Sequence, residues 1–162
     1  MSDRNRTSER LDGRRCPDRA GLMTPAEDAR ARNVAAVQTY FRLQQARDLD
    51  TWITLWAEDG AQSIPYAPEG FPKLVAGRHE LEQIYRDLFA GYAALTIQDL
   101  RIDPLHDPKR VLARWHTRAE LTAGGTYDND LIGVFEFDDD GTLRLLTEYF
   151  DPTAFSRVTA AV

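Results

Sequence analysis

The sequence predicts an α+β fold in which three N-terminal helices pack on one face of a curved, mostly antiparallel sheet. Three observations carry that prediction. Apolar residues recur at helical spacing as far as Tyr92, the period changes to two from Ala94 onward, and the connections between the later segments are short. Short connections between strand-like segments imply adjacent antiparallel partners.

Residues 1–23 show no periodicity and little apolar content, and are expected to form a disordered extension ahead of a single domain over 24–162. Thr24-Pro25-Ala26-Glu27 is a helix start with two signals, Thr at the N-cap with Glu three residues later and Pro at the first helical position. The helix runs to about Arg47, with Val34, Val37 and Phe41 on one face. Asp50 is placed to cap a short second helix from Thr51 to Ala57, carrying Trp52, Ile53, Leu55 and Trp56. Glu58-Asp59-Gly60 ends it, and 61–76, with three prolines and one glycine, is irregular, with strand fragments at best. Tyr66 to Phe71 within it suits a lid or rim. The third helix follows Gly77-Arg78, with Leu81, Ile84, Tyr85, Leu88, Phe89 and Tyr92 at i, i+3, i+4, i+7, i+8 and i+11.

Four strands are expected next: Leu95 to about Pro104, Arg110 to Ala123, Gly125 to Phe137 and Leu143 to Phe150. The Asp-Gly ending at Gly141 marks a hairpin between the last two, and Pro152 stops the final strand. On that strand Glu148 shares a face with Leu146 and Phe150. An acid there either faces solvent or sits in a pocket. The second long strand alternates between an apolar face (Val111, Ala113, Trp115, Thr117, Ala119) and a polar one (Leu112, Arg114, His116, Arg118, Glu120). Either the polar face is simply in water, or Arg114 and His116 serve a site.

Composition narrows the function. The chain carries a net charge of −6, and residues 1–23 hold six Arg against four Asp and Glu, leaving −8 on the remainder. An acidic body disfavours nucleic acid as a partner. No apolar run reaches the ~18 residues of a membrane span, and the first residues lack the apolar core of a secretory signal, so no membrane partner and a cytoplasmic location are expected. One cysteine and three scattered histidines give no metal-ligand spacing, so neither metal nor cofactor is expected.

The order of elements, together with Leu55-Trp-Ala-Glu-Asp59, Gly77-Arg-His-Glu-Leu81, Ile132-Gly-Val-Phe135 and Glu148-Tyr-Phe-Asp151, resembles the nuclear-transport-factor-2-like superfamily over roughly Thr24 to Phe155. That resemblance implies a cone-shaped fold, shared by SnoaL-type polyketide cyclases, phenazine-biosynthesis-like proteins and limonene-epoxide-hydrolase-like enzymes. The epoxide-hydrolase branch has an Arg-x-Asp on the second long strand and an Asp on the last. Here the matching residues are Arg114, His116 and Glu148. The phenazine-related branch carries a glutamate at the Glu148 position, and Arg78 stands where it has a pocket histidine.

The expectation is an enzyme without a cofactor, acting on a polyketide- or terpenoid-like small molecule by cyclisation, isomerisation or epoxide opening. Glu148 and His116 would carry acid–base chemistry with Arg114 orienting the carboxylate or an oxyanion, and Trp56, Tyr66, Arg78, Asn129 and Phe150 would line the pocket. An Arg114–Glu148 contact would keep the carboxylate ionised as a base; without it Glu148 is free to be the acid. The rival expectation is a non-catalytic binding or assembly module, in which Glu148 and His116 stand apart or face solvent. A homodimer is expected because both faces of 132–137 are partly apolar.

Overall fold

The computed structural model describes residues 23–159, so the expected N-terminal extension lies outside them apart from Met23. Helix α1 (Pro25–Ala46) opens with the expected capping box: Thr24 Oγ1 accepts from the Glu27 amide, and Glu27 Oε2 accepts from the Thr24 amide. It ends at Arg47 in the left-handed region (φ 58°), and the Arg47 guanidinium donates to the carbonyls of Phe89 and Tyr92. That side chain ties the end of α1 to the 89–92 segment. A single turn, α2 (Leu49–Trp52), follows, capped by Asp48 rather than Asp50, and a 3₁₀ turn (Ile53–Leu55) completes the corner. Helix α3 spans Arg78–Ala90.

Six strands form one sheet: β1 (Trp56–Ser63), β2 (Leu74–Ala76), β3 (Tyr92–Pro104), β4 (Arg110–Leu121), β5 (Thr126–Phe137) and β6 (Leu143–Phe150). Their order is β2-β1-β6-β5-β4-β3. The antiparallel meander β3 to β6 matches the expectation, and β1 adds a parallel partner to β6 that the sequence did not suggest. Trp56 to Ser63 has no clean alternation, and its Glu-Asp-Gly looks like a turn. It becomes a strand because β6 on one side and β2 on the other satisfy its backbone. Gly60 is needed there: a Cβ would lie 3.0 Å from two carbonyl oxygens and 3.1 Å from the Trp56 ring.

The inner sheet face and the helices enclose the core. Tyr40 lies edge-on to Phe135 with centroids 5.2 Å apart, and Phe41 stacks on Trp115 at 4.8 Å. Trp52 meets Tyr85 at 4.3 Å, joining α2 to α3. A last helix, α4 (Pro152–Thr159), was not expected beyond recognising that Pro152 stops β6. Its Phe155 packs against Phe71, Tyr127 and Phe150, over one end of the sheet's inner face.

Candidate active site

Strand alternation decides where the acid goes. Leu146 is fully buried on the inner face of β6, so Glu148 and Phe150, two and four residues on, share that face. Across the ladder they stand opposite Phe135, Gly133 and Leu131 of β5. The Glu148 carboxyl looks into a cavity of about 80 Å³ whose walls include Tyr85, Phe89, Tyr92, Trp115, Tyr127 and Phe150. On a scale where one water needs about 10–15 Å³, that is room for several waters or a small ligand. Glu148 is half-buried and lines this cavity.

No hydrogen bond or ion pair reaches the Glu148 carboxyl among the described residues. Nothing offsets its loss of solvation, so burial pushes its pKa from the ordinary 4.5 up to about 7. Phenols surround it. Tyr40, Tyr85, Tyr92 and Tyr127 are all held above the usual phenol range, by burial first, with the Glu148 charge adding in each case. Gln44 Nε2 donates to the Tyr40 hydroxyl (3.1 Å), which lies 3.2 Å from that of Tyr85. Phe71 and Ile64 from 64–76, with Phe155 of α4, close the remaining side. Of the expected rim, 66–71, Phe71 lines the cavity.

Contrary to expectation, neither His116 nor Arg114 meets Glu148. On β4 the inner positions are Val111, Ala113, Trp115 and Thr117, so Arg114 and His116 face outward. His116 lies between two outer-face carboxylates, Nδ1 2.9 Å from Asp130 and Nε2 3.1 Å from Asp128. Arg114 borders an open outer groove with Asp99, Arg101 and Tyr149. The polar face of β4 is a solvated one.

Four of the five expected pocket residues are also elsewhere. Trp56 is a fully buried core anchor, packed 5.6 Å from Trp52. Tyr66 is exposed and stacks on Tyr149 (5.9 Å) of the outer face. Arg78 binds the Trp56 carbonyl through Nε (3.1 Å) and Glu58 through a guanidinium nitrogen (2.7 Å). Asn129 faces inward, but its amide is fully used: Oδ1 accepts from the Asp151 amide, and Nδ2 donates to the Asp151 carbonyl and the Tyr127 hydroxyl. Only Phe150 lines the cavity as expected.

The residues missed are Gln44, Gln62, Tyr85, Tyr92, Trp115 and Tyr127. Their signal was available only in part. Tyr85 and Tyr92 lie on the apolar stripe of α3 and its exit, and Trp115 and Tyr127 on inner strand positions, where aromatic residues read simply as core. Gln44 and Gln62 are buried amides, and nothing in the sequence marks them as inward. No group of three or more His, Cys, Asp or Glu that could hold a metal ion exists among the described residues.

Comparison with known proteins places this geometry in context. Residues 37–145 match the family model described as the SnoaL-like domain. An uncharacterised PhzA/B-like protein of Pseudomonas aeruginosa is 27% identical over 112 residues, 68% of this chain and 78% of that protein. Among solved structures, a phenazine biosynthesis-related protein from Pseudomonas aeruginosa superimposes with a TM-score of 0.72 at 18% identity, covering 83% of this chain and 89% of that one. The BvnE pinacolase from Penicillium brevicompactum gives 0.69 at 19%, covering 82% and 97%. At these identities the structures show the cone-shaped α+β fold of the nuclear-transport-factor-2-like superfamily.

Proposed function

Because the chain belongs to the SnoaL-like domain family, we propose that it is a proton-transfer enzyme acting on a small, largely apolar metabolite, with Glu148 as its acid–base group. One observation carries this: a carboxyl enclosed by aromatic walls, without a partner, whose pKa of about 7 leaves both protonation states populated near neutrality. The carboxylate form takes a proton from the substrate and the acid form returns one, so a single group serves both steps. Cyclisation, isomerisation and epoxide opening each need such a transfer on a skeleton kept from bulk water. A polyketide- or terpenoid-like compound suits the apolar walls. Without Arg114 beside it, Glu148 is not held as a permanent base.

A second reading, a non-catalytic binding module, is favoured because, among the described residues, no second carboxylate, histidine or basic side chain lines the cavity beside Glu148. His116 stands on the opposite face of the sheet from Glu148. The two are separated by incubating the protein in D₂O with a panel of apolar carbonyl compounds and epoxides, followed by NMR. An enzyme will exchange a C–H or turn over at least one compound, and Glu148→Gln will slow it roughly 10²–10⁴-fold while His116→Ala leaves it unchanged. Ligands that bind both proteins without exchange or turnover would establish the binding module instead.

A further inference from the structure

The outer face of the sheet carries a further concavity, an open groove of about 490 Å³ that Glu148 does not line. A β-bulge shapes its floor. Gln98 stands opposite His116 and Arg101 opposite Arg114, three steps along β3 against two along β4. Within the bulge Asp99 takes a left-handed φ of 50°. Without the extra residue Leu100 would stand opposite Arg114, and Arg101 would turn to the inner face. The bulge therefore sets two arginines side by side on the outer face. Like charges directly opposite one another on a ladder repel. The neighbouring cations of β4 are matched by acids, His116 by Asp128 and Asp130, and Arg118 by Asp128. The Arg101 and Arg114 side chains have no ion pair or hydrogen bond among the described residues. Asp99 and Asp130 also border the groove, and Asp130 is already bonded to His116. Two uncommitted guanidinium groups thus face one uncommitted carboxylate, Asp99. The same cross-strand row continues from Arg114 to Ile132 and Tyr149, both exposed, and Tyr66 stacks on Tyr149. With strands about 4.8 Å apart, the row from Arg114 to Tyr149 spans roughly 10 Å.

We propose that this groove binds a small organic acid with a flat apolar body. Arg101 and Arg114 hold its carboxylate, and Ile132 and Tyr149 lie under its body. Two guanidinium groups across one ladder can share a carboxylate, one oxygen each, which removes their mutual repulsion. An exposed isoleucine and tyrosine gain stability when an apolar surface covers them. The site is on the opposite face of the sheet from the cavity and stands whether or not Glu148 is an acid–base group.

The test uses biphenyl-4-carboxylate, with its uncharged amide as control, and follows the isoleucine δ-methyl groups by NMR. Ile132 reports the groove, whereas Ile64, Ile84 and Ile97 line the inner cavity. The acid is expected to shift the Ile132 methyl and to leave the other three in place. Arg101→Gln and Arg114→Gln should each weaken its binding roughly 5–10-fold, the worth of a charge-assisted hydrogen bond at an exposed position. The amide should bind the parent more weakly than the acid does, and should bind both variants as it binds the parent. No shift of Ile132, equal affinity for acid and amide, or full affinity for the acid in either arginine variant would each overturn the proposal. An unshifted Ile132 in a protein that light scattering finds dimeric would give this face to a second copy of the chain instead.

Discussion

Glu148 stands directly opposite Gly133 across the β5–β6 ladder, and the Trp115 indole covers the place where a side chain at 133 would be. The acid therefore has no side chain beside it on β5, and the tryptophan of β4 supplies that part of the wall.

Gly133→Ala tests this arrangement. Its Cβ would lie 3.0 Å from a Leu146 methyl and 3.1 Å from the Trp115 ring, inside a packed region. Overpacking of this kind costs about 1–3 kcal/mol. A lowered melting temperature with weakened ligand binding is expected; an unchanged melting temperature would mean that Trp115 moves aside freely.

Glu148 makes stability depend on pH in a stated direction. Its folded pKa lies above the ordinary 4.5, so the folded protein holds this proton more tightly than the unfolded chain does. The contribution is complete below about pH 4.5 and is lost as pH rises through about 7. A shift of that size corresponds to about 3 kcal/mol by pH 8. Glu148→Gln should therefore be more stable than the parent at pH 8 by up to that amount, and nearly equal to it at pH 5. Urea titrations at both values measure it, and a pH-independent difference would show that the carboxyl is not desolvated as described.

Asn129 is expected to act on folding. Asn129→Leu removes both bonds to the Asp151 backbone and the donor to Tyr127, leaving the Tyr127 hydroxyl in a largely buried site without that bond. A loss of about 1–3 kcal/mol is expected, with faster amide exchange in α4, whose start follows Asp151. Retention of full stability would make the amide available to ligand after all.

The homodimer remains a proposal, with a surface now assigned. Ile132 is 37% exposed and Tyr149 36%, and they share the outer face with Arg114 and the His116 pair of carboxylates. Light scattering at micromolar concentration should give a dimer mass, and Ile132→Asp should shift it toward monomer. A monomer mass for the unaltered chain would end the proposal.

The sequence by itself determined most of the scaffold. The capping box at Thr24, the α3 stripe from Leu81 to Phe89, the meander after Ala94 and the turn at Gly141 are local patterns, and local patterns survive without neighbours, whereas Tyr92, expected on that stripe, opens β3. Spacing also put Glu148 on the face of Leu146 and Phe150. It did not say which face of β4 was covered, and there the resemblance drew Arg114 and His116 into a site they do not reach. Alternation groups residues into two faces, while only packing against α1 and α3 decides which face is inward. The same holds for β1, whose polar strand exists because β6 and β2 pair with it, and for Asn129, whose amide is claimed by a backbone 22 residues away. The Tyr40–Tyr85 contact joins positions 45 residues apart. Such contacts form where helices and strands distant in sequence close around one cavity, and the unpartnered Glu148 carboxyl inside it is a property of that enclosure.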